Sequence, residues 1–294
     1  MAVFTTLSTQ DVRSRLPDFN IGELLSLEPI ASGIENTNYF LDTTEGRWVL
    51  TVFERLSEEQ LPFYLELCAH LRGQGCPVAA PVRTKNGRLF SHIKGKPFSI
   101  ANRLEGSSIE NVTPQECASM GEVLARMHLA AKSFTLFQEN LRGPQWWKTT
   151  APVVLPHLAP DVGQILSEEV SHQLAVFSDP DFKPLPVAAC HCDLFRNNAM
   201  IVGHGTAQER VSGVFDFYFA GGSFVRCCRH RQRLVHGLQC TRPAIGSEQD
   251  RSLSQGISRR ASFHANRLPL VARHAQSLRA PFLALSPVRL LPAA

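Results

Sequence analysis

The sequence predicts an α+β protein in which a small β-sheet domain comes first and a mainly helical domain second. Three observations predict it. Short alternating runs between residues 26 and 53 are punctuated by turn residues, a capping box at Thr113 opens an amphipathic helix, and short apolar strands return between 186 and 215. The chain has 294 residues, 44% hydrophobic and 19% charged, without repeats or low-complexity tracts, which excludes general disorder and collagen-like sequence. That length suffices for one large or two modest cores.

The elements follow in order. Pro29-Ile30 and Tyr39-Phe40-Leu41 flank Gly33 and the polar run Glu35-Asn36-Thr37-Asn38, and Thr43-Thr44-Glu45-Gly46 turns the chain into Trp48-Val49-Leu50-Thr51-Val52. Leu61, Tyr64, Leu65, Cys68 and Leu71 keep helical spacing until Gly73, Gly75 and Pro77 stop it, so a helix should pack on the sheet. Pro81 to Arg83, Arg88 to Ile93 and Pro97 to Asn102 read as further strands, which closes a sheet domain over residues 1–104. Thr113-Pro114-Gln115-Glu116 then caps a helix whose apolar face is Met120, Val123, Leu124, Met127 and Ala131. In the second domain, residues 105–222, the strands Pro186 to Cys190, Ala199 to Val202 and Val211 to Phe215 leave His191 to Asn198 and the segment from Asp216 as loops.

No apolar run approaches the length of a bilayer, and no basic-then-apolar leader opens the chain, so a soluble cytoplasmic protein without a membrane partner is expected. The eight cysteines contain no C-x-x-C pair, only Cys190-x-Cys192 and the adjacent Cys227 and Cys228. Buried or incidental thiols fit that spacing better than zinc or disulfides.

The chemistry concentrates in His191-Cys192-Asp193-Leu194-Phe195-Arg196-Asn197-Asn198 and in Asp216-Phe217-Tyr218 at a strand end. Phosphoryl transfer from ATP needs a carboxylate to orient the attacking hydroxyl and accept its proton, and oxygen ligands that hold magnesium on the phosphates. Asp193, Asn198 and Asp216 supply that set, with Arg196 nearby to offset negative charge.

This pattern, H-x-D-x-x-x-x-N followed by an apolar strand ending in D-F, resembles the catalytic signature of aminoglycoside-phosphotransferase-like kinases, and most closely their homoserine kinase branch. The likeness also rests on Ala2-Val3-Phe4-Thr5, on Ala31 to Phe40, on Trp48 to Arg55, on Leu61-Pro62-Phe63-Tyr64, and on Asp216-Phe217-Tyr218-Phe219-Ala220; it spans residues 1–222. It implies a protein-kinase-like two-lobe fold and transfer of the ATP γ-phosphate to the hydroxyl of L-homoserine, a step of threonine biosynthesis. Asp193 is then the base, Asn198 and Asp216 hold Mg2+, and Ser32, Gly33, Asn36 and Asn38 contact the nucleotide. No nucleic-acid partner is implied, and the oligomeric state stays open. Two other readings remain: a catalytically dead nucleotide-binding remnant, or a kinase for another hydroxylated metabolite such as choline or an aminoglycoside.

Several positions carry two readings. Thr51 stands where many relatives place a phosphate-binding Lys or Arg, which leaves Arg55 or main-chain donors of the 32–38 loop for that contact. With one glycine, the same loop also reads as a plain hairpin turn. His191 is a loop support or a chemical participant, and His128 a packing residue beside the catalytic loop. Trp146-Trp147, after Leu141-Arg142-Gly143-Pro144, is a core anchor or a cleft lining. Glu66 has no lysine to pair with.

The last part of the chain has a different composition. Residues 1–223 hold 18 Lys+Arg against 24 Asp+Glu, a net −6, whereas 224–294 hold 12 Arg, no Lys, and only Glu248 and Asp250, a net +10. A nucleic-acid-binding extension would bring lysines, interleaved aromatics or helical periodicity, and none is present. Codons for Phe224 onward, read one base later, permit L-Y-D-V-A-A-I-V-N-D-W-C, and those for Pro281 to Arg289 permit F-W-L-S-R-L-Y-D, both resembling C-terminal helices of the same kinases. Residues 223–294 are therefore expected to be a basic, frameshifted, poorly ordered tail, with the helical domain truncated behind the catalytic loop.

Overall fold

Alternation of small, branched and aromatic residues between 24 and 52 produces strands, and longer apolar spacings on either side produce helices. The computed structural model describes residues 3–33, 35–180 and 187–224, so the tail beyond 224 lies outside the described residues. Its elements run α1 (Thr9–Arg13), β1 (Leu24–Ile30), β2 (Thr37–Thr43), β3 (Gly46–Val52), α2 (Leu61–Gly73), β4 (Ser91–Ile93), β5 (Lys96–Asn102), α3 (Pro114–Ala130), α4 (Pro144–Val154), α5 (Pro160–Ser178), β6 (Val187–Cys190), β7 (Ala199–Val202), β8 (Arg210–Val214) and β9 (Gly221–Phe224). None of the described helices is long and apolar enough to cross a membrane.

The first five strands form one antiparallel sheet in the order β1-β2-β3-β5-β4. β2 buries Thr37, Tyr39, Leu41 and Thr43, every second residue, against one face. There Leu41, Leu50 and Ile100 meet Leu7, Val12, Leu16 and Phe19 of the N-terminal segment. Complete burial of each such aliphatic side chain contributes about 1.5–3 kcal/mol. The segment is also tied by hydrogen bonds: the Thr5 amide donates to Thr37 Oγ1 at 3.1 Å, and the Leu7 amide to the Tyr39 hydroxyl at 2.9 Å. On the opposite face α2 contributes Leu61 and Leu65 to a cluster with Phe53, Leu89 and Phe90. The expected strand at Pro81 to Arg83 reduces to a single bridge between Pro81 and Ala101, since proline has no amide to donate to a ladder.

Contacts divide the described residues into two compact units. The first runs to Glu110 and adds Ser133–Leu136 and Asn197–Tyr218; the second holds Asn111–Lys132, Phe137–Arg196 and the described residues from Phe219. The β7–β8 hairpin belongs to the sheet unit: Val214 donates to the Pro77 carbonyl at 2.8 Å and accepts from Ala79 at 3.0 Å. Gly106, at φ +94°, passes so close to the hairpin that a Cβ there would lie 2.1 Å from the Ile201 carbonyl oxygen.

In the helical unit, the Thr113 capping box forms as expected, with Glu116 N donating to Thr113 Oγ1 at 3.1 Å and Thr113 N to the Glu116 carboxylate at 2.9 Å. α4 and α5 pack through Val154, Leu166 and Val170 with Trp147 and Leu174. β6 pairs antiparallel with β9, Cys190 opposite Gly221.

Candidate active site

The loop carrying Asp193 is fixed from its backbone outward. His191 is buried, and its Nδ1 accepts the Asp193 amide at 3.2 Å. That contact gives His191 a supporting place in the loop. Cys192 adopts a left-handed conformation at φ +62°, a costly one for a residue with a Cβ. Its Sγ lies 3.7 Å from Asn140 Nδ2, which donates to it, and 3.9 Å from the Gly221 carbonyl. Leu194 is buried, and Phe195 N donates back to the Asp193 carbonyl at 3.0 Å. The half-buried Asp193 thus sits on a tightly turned support, followed by a short 3-10 turn, Arg196–Asn198.

The β7–β8 hairpin brings Asn198 and Asp216 to one end. Ala199 pairs with Val214, and the Phe215 amide donates to the Asn198 carbonyl at 3.1 Å. Asp216 follows in the left-handed region at φ +63°. Of the three non-glycine residues with positive φ among the described residues, Cys192 and Asp216 flank this chemistry, and Lys94 lies elsewhere. An amide and a carboxylate at one hairpin end form a hard oxygen donor set, which fits a divalent cation such as magnesium. Burial and then the charge of Asp216 push the Cys68 thiol on α2 up to about 12, so Asp216 acts electrostatically on the α2 face of the sheet.

That face carries a neutral polar line. Asn38, Thr51 and Ser99 lie side by side on β2, β3 and β5, and Thr51 Oγ1 donates to Asn38 Oδ1 at 2.8 Å. Two residues past Asp216, the Tyr218 hydroxyl reaches the same line. Burial first, then Cys68 and Asp216, push its ionisation upward, while the hydroxyls of Thr51 and Ser99 partly offset the rise. Its ring packs edge-on against Phe53 at 5.1 Å and Tyr64 at 6.2 Å. Tyr218 therefore meets Thr51 at the position where a charged residue was expected in relatives. Ser32 and Gly33 lie in the β1–β2 connection, Gly33 at φ +122°; Asn36 is buried just before β2, and Asn38 Nδ2 approaches the Asn36 carbonyl at 3.5 Å. Arg55 is exposed beyond the end of β3.

Other residues find partners that sequence spacing does not reveal. Glu66 pairs with Arg83, two nitrogens at 2.8 and 3.2 Å, so its cation is an arginine from the segment after α2. The adjacent tryptophans part company: Trp147 enters the α4–α5 core edge-on to Phe177 at 5.4 Å, whereas Trp146 lies under the guanidinium of Arg142 at 5.3 Å. His128 is buried on α3, and among the described residues neither ring nitrogen has a hydrogen-bond partner, in keeping with the packing role expected of it. Asn140 has no signal in the sequence, and Arg142 and Tyr218 stand there only as neighbours of the tryptophan pair and of Asp216.

Comparison with known proteins now places the chain. The sequence profile of the APH phosphotransferase enzyme family matches residues 26–225, and the chain belongs to that family. It is a phosphotransferase. Among curated relatives, homoserine kinase of Cupriavidus necator is 47% identical over 227 residues, covering 75% of this chain and 68% of the relative. Homoserine kinase of Paraburkholderia phytofirmans is 43% identical over the same length and shares. The fold matches an amicoumacin kinase solved with AMP-PNP, Ca2+ and its antibiotic at TM-score 0.69 and 14% identity, over 96% of this chain and 92% of that one. A macrolide 2'-phosphotransferase of Brachybacterium faecium matches at TM-score 0.61 and 15% identity, over 96% and 90%. The two-lobe, protein-kinase-like α+β fold expected from the sequence is thus the fold of this chain.

Proposed function

We propose that this chain phosphorylates the side-chain hydroxyl of L-homoserine with ATP, and that Asp193, Asn198 and Asp216 carry the reaction. The observation that supports it most is the backbone-clamped Asp193 loop, in a chain 47% identical to a homoserine kinase. In this reading the Asp193 carboxylate orients the acceptor hydroxyl and takes its proton. The hydroxyl oxygen forms a bond to the γ-phosphorus as the bond to the ADP oxygen breaks. Asn198 and Asp216 would hold Mg2+, which when bound neutralises phosphate charge. The 32–38 loop, through Ser32, Gly33, Asn36 and Asn38, would lie along the nucleotide, with neutral donors at Thr51 in place of a cation.

Purified full-length chain is assayed with ATP and magnesium against homoserine, choline, an aminoglycoside and methylthioribose. Homoserine should have the highest kcat/KM; no preference among the four would reject the acceptor, and nucleotide binding without turnover would identify a dead remnant. The family match ends at residue 225, which favours the reading of 223–294 as a frameshifted tail. Restoring the frame by one base near codon 222 should then raise thermal stability and activity together; no gain would count the tail as part of the protein.

A further inference from the structure

An amino-acid acceptor sets a requirement that the acidic set does not meet. Homoserine is a zwitterion at neutral pH, and Asp193 attracts its ammonium but repels its carboxylate. A cation on the same unit as Asp193 would receive that carboxylate, and besides Arg196 of the Asp193 loop a second one is at hand.

The segment 138–142 supplies one. It runs beside the residues that follow Asp216: the Gly222 amide donates to the Gln138 carbonyl at 2.7 Å, and Glu139 bridges Gly222 in parallel. The approach needs glycine, because a Cβ at Gly221 would lie 2.7 Å from Asn140 Cα. From this segment Asn140 Nδ2 reaches Cys192, the neighbour of Asp193, and Asn140 Oδ1 accepts the Arg142 amide at 2.9 Å. One polar side chain therefore links the Asp193 loop to the backbone of Arg142. The Arg142 guanidinium lies 5.3 Å from the ring centroids of both Trp146 and Phe219. Arg142 is exposed, and among the described residues its guanidinium makes ring contacts but no ion pair. Aromatic contacts hold a guanidinium in place while its in-plane N–H donors stay available.

We propose that Arg142 receives the α-carboxylate of the acceptor through paired N–H···O bonds, and so selects an amino-acid alcohol over neutral or cationic alcohols. This rests on the homoserine kinase reading. A merely structural stacking role makes a different demand: loss of Arg142 would then weaken every acceptor alike.

The test compares L-homoserine with its carboxamide, which keeps the ammonium but lacks the carboxylate charge, using full-length wild-type, Arg142→Met and Arg142→Lys proteins with ATP and magnesium. In wild type, kcat/KM favours the carboxylate. In Arg142→Met the ratio between the two acceptors should fall about 10-fold or more through KM for homoserine, the scale of losing a charge-assisted paired hydrogen bond. KM for ATP should stay at its wild-type value, which shows that the protein is folded. Arg142→Lys, which keeps charge but loses the fork, should fall between them. Calorimetric binding of the two acceptors in the presence of AMP-PNP reads the same ratio without turnover. An unchanged ratio in Arg142→Met, or equal losses for both acceptors, overturns the assignment while leaving homoserine kinase activity intact. Wild type that neither binds nor phosphorylates homoserine overturns the activity and the assignment together.

Discussion

The α2 face of the sheet unit and the Asp193 region of the helical unit handle polarity in opposite ways. On the α2 face of the sheet, Asn38, Thr51, Ser99 and Tyr218 form a line of neutral groups in which Thr51 and Ser99 are buried. Around the Asp193 loop of the helical unit the ionic groups stay nearer water: Asp193 is half-buried on a backbone clamp, and Arg142 is exposed on two aromatic rings. Burial explains the difference. A hydrogen-bonded hydroxyl tolerates an apolar surround, whereas an ion loses several kcal/mol of solvation there. Changes in the sheet line should therefore register as stability, and changes among the helical unit's ions as activity.

The largest effect is expected at Asp193. Asp193→Ala should lower kcat by about 10²- to 10⁴-fold, the usual contribution of a positioned base, with nucleotide binding and melting temperature largely kept. Equal loss of turnover and nucleotide affinity in calorimetry would move Asp193 out of the chemistry. Thr51→Val comes next, on the other side of the comparison. It leaves the Asn38 amide oxygen and the Tyr218 hydroxyl short of a partner and should cost about 1–3 kcal/mol in denaturant unfolding. Tyr218→Phe should cost about 1 kcal/mol, and the double variant less than the sum, because both changes break one network. Strict additivity would mean that the line is not a network.

Two pH limbs follow, both on the sheet unit. Cys68, raised from 9.0 to about 12, stays protonated in the folded chain while the unfolded chain ionises. Its contribution to stability is complete below pH 9.0 and is lost as pH rises towards about 12. Cys68→Ala should flatten that alkaline decline; an unaltered slope would assign it to other groups. The smallest effect concerns Glu54. Desolvation pushes its carboxyl up, but hydrogen bonds from Lys96, Thr37 and Thr5 outweigh it and hold the group below 4.5. Its contribution is therefore present above 4.5 and fades as pH falls. Lys96→Met, which removes the first of those bonds, should shrink the acid-induced loss measured by thermal melts between neutral and acidic pH.

How much of this was legible depended on range. The capping box at Thr113, the helix from Leu61 and the three strands up to Val52 were readable because their determinants lie within a few residues of one another. The Asp193 and Asp216 loops stood out as candidates because phosphoryl transfer restricts both residue types and spacing. Thr51 was noticed as a missing cation, but the hydroxyl that meets it comes from Tyr218, 167 positions away in the chain. The tryptophan pair shows the same limit at short range. Successive residues on a helix point about 100° apart, so one ring faces the core and its neighbour does not, but which one is set by how α4 packs on α5.

By itself the sequence determined the element types and the family to which the chain belongs, and it singled out Asp193, Asn198 and Asp216 as candidates for the chemistry. Those depend on periodicity, capping and chemical identity, all written locally along the chain. Only the tertiary structure decided that Tyr218 and Thr51 share one buried line, that Glu66 meets Arg83, and that Asn140 ties Cys192 to the segment holding Arg142. Each is a pairing across many residues, fixed by close packing and by the need of buried polar groups for partners, neither of which has a signature in local sequence.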